Sequence, residues 1–131
     1  MTATVPPLPE NAPPALVAYM AMWNERDPDA IRGHLDAAVN DDCLWIDPQH
    51  QHRGRDALEA NVRSFRAGFP EAGLGVGSNI DGHNDRYRYE WVIVNEGELL
   101  LRGFDVVTLD EDGLIERVDG FFGTLERVGP E

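Results

Sequence analysis

The chain has 131 residues, 42% of them hydrophobic and 27% charged, enough for one globular domain with a core that needs no disulfide or metal. Its 24 acidic residues against 11 basic ones give a net charge of −13, which favours solubility and disfavours binding to nucleic-acid backbones. The single cysteine, Cys43, excludes an internal disulfide and a multi-cysteine zinc site, and no apolar run reaches the roughly 18 residues of a membrane span.

Residues 1–13 contain Pro6, Pro7, Pro9 and Pro13, with neither a basic start nor an apolar stretch of signal-peptide length. They are expected to form a disordered, proline-rich tail on a cytoplasmic protein, with 14–131 a single domain. From Pro14 to Arg26, Leu16, Tyr19, Met20 and Trp23 fall at i, i+3, i+4 and i+7, one face of a helix. A second helix follows with Asp27 as N-cap and Pro28 at its first position, buried through Ile31, Leu35 and Ala38. "CLWID" reads as a short strand ended by Pro48. A third helix runs from about Asp56 to Phe69, buried through Leu58, Val62 and Phe65, and Pro70 stops it.

After Pro70 the period changes to two: "LGVGSNI", "RYRYEWVIV", "ELLLRGFDVVTL" and "LIERVDGFFGTL" read as strands, with "NEGE" and "DEDG" as turns between the later ones. Helices first and antiparallel strands later indicate an α+β fold. Three N-terminal helices on a curved, mostly antiparallel sheet would make a cone whose open mouth is a natural pocket. Trp23, Trp45, His50, His52, Asn61, Phe65 and Phe121 are candidate lining residues. Tyr87, Tyr89 and Trp91 alternate onto one side of their strand, and an exposed aromatic row there would favour a homodimer.

Asp105 is the most informative polar residue, because alternation places it with Leu99, Leu101, Val107 and Leu109. A carboxylate among aliphatics is either paired or protonated. The alternative is that the opposite side of this strand faces the core. Tyr19 lies on the first helix's apolar stripe, where a core tyrosine bonded to a carbonyl is an equal reading. Asp47, before Pro48, is either a turn cap or a base at a pocket wall. Asp119 shares its apparent alternation side with Ile115 and Phe121 and would be a second inward carboxylate. His50 and His52, at i, i+2, with Asp47 nearby, resemble a metal loop, but no reinforcing spacing accompanies them. A polar pair near the mouth is favoured, with either ring able to carry a proton.

The pieces "AYMAMWNERDPDAI", "LWIDP" before "RG", the helix ending "FP" and "GFDVVTLDEDGLIERVDGFFG" resemble the nuclear-transport-factor-2-like (NTF2-like) superfamily, in its SnoaL-like and ketosteroid-isomerase-like branches. The likeness covers about Pro14 to Val128 and implies a cystatin-like cone. It further implies that Asp47 matches a proton-moving aspartate, and that Tyr19 and Asp105 match a pair holding an enolate oxygen. That would make the protein a small cofactor-independent, metal-free enzyme acting on an apolar carbonyl compound, as an isomerase or an aldol cyclase. Two alternatives stand beside it: a non-catalytic binding or dimerising module, and an epoxide-hydrolase-like enzyme using Asp119 with Arg88 or Arg102. A homodimer through the sheet face, with no nucleic-acid or membrane partner, completes the expectation.

Overall fold

A computed structural model describes residues 2–130. Helix α1 (Pro14–Asn24) is followed by a 3-10 turn (Pro28–Ala30), α2 (Ile31–Ala38), strands β1 (Val39–Asp47) and β2 (His50–Arg53), and α3 (Arg55–Gly68). Then come β3 (Gly73–Val76), β4 (Asp81–His83), β5 (Arg86–Asn95), β6 (Glu98–Leu109) and β7 (Ile115–Phe122). The sheet order is β2-β1-β7-β6-β5-β3, with β4 pairing β5 off that path. Among the described residues only the β1–β7 pairing is parallel. This is the expected α+β cone, with three helices on one face of a mixed, mostly antiparallel sheet.

The expected stripes meet in one core. Leu16, Met22, Ile31, Leu35, Leu58 and Val62 from the helices are buried with Val39, Cys43, Val107, Ile115 and Val118 from the sheet. Truncating a leucine such as Leu35 to alanine here costs roughly 2–5 kcal/mol. Asp27 caps the 3-10 turn, its carboxylate accepting from the Asp29 amide at 3.0 Å. The hairpin turns Asn84–Asp85 and Glu96–Gly97 have positive φ at both residues, the type I′ pattern that matches strand twist. The buried Arg66 donates to the carbonyls of Trp23, Pro70 and Ala72, tying the ends of α1 and α3 to the loop entering β3.

Several elements differ from the sequence reading; α1 ends at Asn24 and β3 at Val76, each short of the expected end. β2 is a strand although "HQHR" has no apolar alternation, because each residue pairs with β1, Asp47 opposite His50 through Leu44 opposite Arg53. β1 begins at Val39, and β4 is a short exposed strand recruited by β5. β7 stops at Phe122, where Gly123 turns the chain at φ 81°. The N-terminal segment is extended, as its prolines require, and also docked: the Ala3 amide donates to Gly97 O at 2.7 Å, Asn11 donates to Ile80 O at 3.1 Å, and Leu8 and Ala12 pack on the core. Gly73 and Gly75 leave the space it occupies, since a Cβ on either would come 2.6 Å from the Val5 side chain.

Candidate active site

Between the helices and the inner sheet face lies a cavity of about 620 Å³. Its apolar walls come from Met20 and Trp23 of α1, Phe65 and Phe69 at the end of α3, and Leu74, Trp91, Ile93, Leu101 and Phe122 of the sheet. Seven polar side chains break that surface: Tyr19, Asp47, Gln49, His50, Asn61, Ser64 and Asp105. A largely apolar cavity with a few convergent polar groups has the character of a small-molecule site.

At the inner end, Asp105 is 6% exposed and faces the cavity. The β5–β6 register sets Tyr89 directly opposite it and Trp91 opposite Gly103, so three inward side chains meet. The Tyr89 hydroxyl bonds Asp105 Oδ2 at 2.8 Å, and Trp91 Nε1–H donates to Oδ1 at 3.0 Å. Burial pushes the Asp105 carboxyl up to about 7 against the pull of those two donors, and the charges of Asp47 and Asp119 push the same way. An indole N–H can only donate, so Oδ1 is an acceptor in both protonation states and the titrating proton belongs on Oδ2. Trp45 Nε1–H likewise donates to the Tyr19 hydroxyl oxygen at 2.7 Å, which leaves the Tyr19 proton to be given elsewhere. Burial first, then the nearby Asp105 carboxylate, hold the Tyr19 phenol well above its ordinary value, so it remains a donor.

The mouth end is built on the β1–β2 hairpin. Asp47 ends β1 with its side chain 11% exposed, and its Oδ1 accepts from the Gln49 amide at 2.8 Å and bonds His50 Nδ1 at 3.0 Å. The turn-cap reading and the cavity-wall reading of Asp47 both hold in its geometry. His50, 39% exposed, packs near the Trp45 ring at 6.0 Å and near His52 at 5.5 Å. Gly120 of β7 lies between the two ends. A Cβ there would sit 3.0 Å from Asp105 Oδ1 and 3.5 Å from Asp47 Cβ, so glycine keeps the carboxylates facing one open space.

Tyr19, Asp47 and Asp105 therefore line one cavity, together with Trp23, Trp45, His50, Asn61 and Phe65. Three expected positions do not. His52 is not a lining residue: paired opposite Trp45, it shares that residue's side of the hairpin and stacks on its ring with centres 6.1 Å apart. Asp119 and Phe121 lie on the outer sheet face: Asp119 is ion-paired to Arg117 at 2.9 Å and Phe121 is stacked on Phe104 at 4.8 Å. The cause is a one-residue bulge in β7. Ile115 pairs Leu109 but Arg117 pairs Thr108, so alternation counted from Ile115 reverses before Asp119. Phe122 takes the inward place. No arginine lines the cavity, and Arg88 is engaged with Asp81 at 2.9 Å, so the arrangement required for epoxide hydrolysis is not assembled. The Tyr89–Trp91 row faces inward and is buried, not exposed for a partner. Sequence reasoning missed Tyr89 and Trp91 as Asp105's partners and Gly120 as the spacer.

The chain matches the SnoaL-like domain family over residues 16–118. It is similar to the crystal structure of a protein proposed to be an isomerase of the SnoaL-like family from Agrobacterium tumefaciens. The identity is 29%, with 84% of this chain and 95% of that one covered and a TM-score of 0.78. An NTF2-like protein of unknown function from an Exiguobacterium species (17% identity, 85% and 99% covered, TM-score 0.70) shares the fold. So does a proposed SnoaL-like polyketide cyclase from a Jannaschia species (14%, 87% and 90%, 0.64). No curated protein sequence matches the chain. The family match spans most of the chain, from the first helix to the last strand, and the protein belongs to the SnoaL-like family.

Proposed function

We propose that the protein is a small enzyme that moves protons on an apolar, carbonyl-bearing compound bound in the cone, by isomerisation or aldol-type cyclisation. The observation that carries this reading is Asp105: a carboxyl buried in an apolar cavity, held by Tyr89 and Trp91, and raised to about 7. Protonated, it and the Tyr19 hydroxyl offer two donors to a carbonyl oxygen as that oxygen gains charge. The Asp47–His50 pair supplies the base at the other end. The C–H electron pair then becomes the enolate double bond. The proton returns to a different carbon in isomerisation; in cyclisation the enolate carbon attacks a second carbonyl, whose π pair moves onto its oxygen, and that alkoxide takes up the proton held by the base. The proposed steps call on no group beyond these side chains.

The test uses 2-tetralone, an apolar ketone, incubated with the protein in D2O, with exchange at the carbons beside the carbonyl followed by NMR. Exchange well above the buffer rate, lowered at least a hundredfold in Asp105→Leu, is expected. Binding of 2-naphthol, which mimics the enol, without any tetralone exchange would favour a non-catalytic binding module instead. We also propose a homodimer through the outer sheet face, where Phe121, 48% exposed, stacks on Phe104. Gel filtration of the wild type should give a dimer and Phe121→Arg a monomer. A wild-type monomer at micromolar concentration would end that idea.

A further inference from the structure

Within the proposed reaction, we infer that His50 is the group that takes the proton from carbon and that Asp47 is its positioning partner. The inference rests on the proton-transfer reading and assigns the base within it. Four observations point the same way. First, His50 Nδ1 lies 3.0 Å from Asp47 Oδ1, and an imidazole meets a carboxylate through a protonated nitrogen, so the neutral ring has its lone pair at Nε2. Second, no hydrogen bond among the described residues engages Nε2, while the ring itself forms part of the cavity wall. Third, the ring's position is fixed on three sides, by Asp47, by the Trp45 indole and by His52. Fourth, Asp47 Oδ1 already accepts the Gln49 amide as well as His50, so this carboxylate is built into the hairpin turn as a fixed anchor.

The chemistry favours the ring over the carboxylate. Imidazole is ordinarily a stronger base than a carboxylate by roughly two to three pH units, a large advantage when the proton comes from carbon. When Nε2 accepts that proton, the C–H electrons move into the enolate, and the enolate oxygen is held by Tyr19 and Asp105 at the inner end. His50 becomes an imidazolium already bonded to ionised Asp47, so the new charge is balanced where it forms. Protonating Asp47 instead would neutralise the anchor that positions the ring. His52 is excluded from this role because its ring stacks on Trp45 and does not line the cavity.

The experiment again follows tetralone exchange in D2O, now on wild type, His50→Gln, His50→Ala and Asp47→Asn. Each variant is first checked for 2-naphthol binding, which reports the inner end and is expected to stay within twofold of wild type. His50→Gln should lose at least a hundredfold in exchange rate. Added imidazole should restore exchange to His50→Ala in a saturable way, a result that a purely structural role would not produce. Asp47→Asn should lose about tenfold, the usual scale for removing a partner that orients a histidine. The inference is overturned if His50→Gln keeps its rate within threefold while Asp47→Asn abolishes it, because Asp47 is then the base. Retained exchange in both variants overturns it too. A wild type with no exchange at all removes the proton-transfer reading, and this assignment falls with it.

Discussion

The two ends of the cavity are made in different ways. The inner end stands on the centre of the sheet and the buried face of α1, where Asp105, Tyr89, Trp91 and Tyr19 are fixed by register and packing. The mouth end stands on a hairpin at the sheet edge, where Asp47 and His50 meet across a two-residue turn and His50 is partly exposed. Asp105 is stripped of water at the centre of the sheet, whereas Asp47 sits at the rim with His50 as its partner. The deep carboxyl is pushed up to about 7, so it can hold a proton near neutral pH; in the proposed reaction the rim pair accepts one. In the proposed reaction two aspartates of identical chemistry thus serve different purposes, one as a buried donor and the other as the anchor of a basic histidine, because of where the fold puts them.

The comparison is broken most severely by removing the inner carboxyl. Asp105→Leu should lower tetralone exchange by 10²- to 10³-fold, the usual cost of losing a donor to a developing oxyanion. Asp105→Asn separates donation from titration. Its amide oxygen can still accept from Trp91 and its NH2 can still donate, so the rate should fall about tenfold or less. Wild-type activity should decline as pH rises through about 7, where Asp105 loses its proton, and that decline should be absent in Asp105→Asn. Stability shifts with it. The folded carboxyl titrates near 7 against an ordinary 3.8, so the folded chain holds the extra proton in that window and stability falls as pH rises from about 4 to about 7. The loss is roughly 4 kcal/mol at 1.36 kcal/mol per pH unit. Asp105→Asn should therefore melt at a higher temperature than wild type at pH 8 and close to it at pH 5. A variant that melts lower at both would contradict the buried charge.

The next largest effect belongs to Tyr19→Phe. It removes one of the two oxyanion donors and should cost 10- to 100-fold in exchange. It also leaves the Trp45 indole N–H without its acceptor, a loss of about 1–3 kcal/mol by thermal unfolding. Unchanged exchange with lowered stability would confine Tyr19 to holding Trp45 in place.

How much of this was legible in the sequence follows from what each signal depends on. Helix stripes and strand alternation are local, and they led to the three helices and the long strands. Asp105 stood out because a carboxylate interrupted an aliphatic row. Its partners were visible as a row of their own, Tyr87, Tyr89 and Trp91. Only the register that sets Tyr89 opposite Asp105 connects the two rows, and that register is a property of the β5–β6 pair rather than of either segment. Asp119 and Phe121 went to the wrong face for a similar reason: the bulge between Ile115 and Arg117 is imposed by pairing with β6. β2 was unreadable because "HQHR" becomes a strand through its ladder with β1 and not through its own composition. The histidines were noticed in the sequence, but only the folded hairpin distinguishes His50, which lines the cavity, from His52, which stacks on Trp45 and does not.

A smaller perturbation tests the gap between the two ends. Gly120→Ala would place a methyl 3.0 Å from Asp105 Oδ1 and 3.5 Å from Asp47 Cβ, closer than ordinary packing on the first contact. The variant should weaken 2-naphthol binding by about tenfold while displacing the Asp105 carboxylate by no more than a few tenths of an ångström. Binding at the wild-type level would mean that ligands do not use the space between the two carboxylates.

The finest test leaves every proposed catalytic group intact and changes only how the inner carboxyl is held. Trp91→Phe removes the donor to Asp105 Oδ1 and keeps an aromatic ring where Trp91 now packs edge-on against Phe122 at 6.0 Å. Trp91's N–H stabilises the ionised carboxylate, so its loss must move the Asp105 titration further above 7, because burial is then opposed by Tyr89 alone. The alkaline decline in exchange should shift to higher pH by up to about one unit, and the rate at pH 6 should change no more than about threefold. Tyr89→Phe should move it in the same direction, since that hydroxyl also favours the charged form. A decline that stays at the wild-type pH in both variants would mean that the titrating group is not Asp105, and the inner end would lose its place as the oxyanion site. A shift in both would tie the pH dependence to a carboxyl whose protonation is set by two neighbours on the adjacent strand.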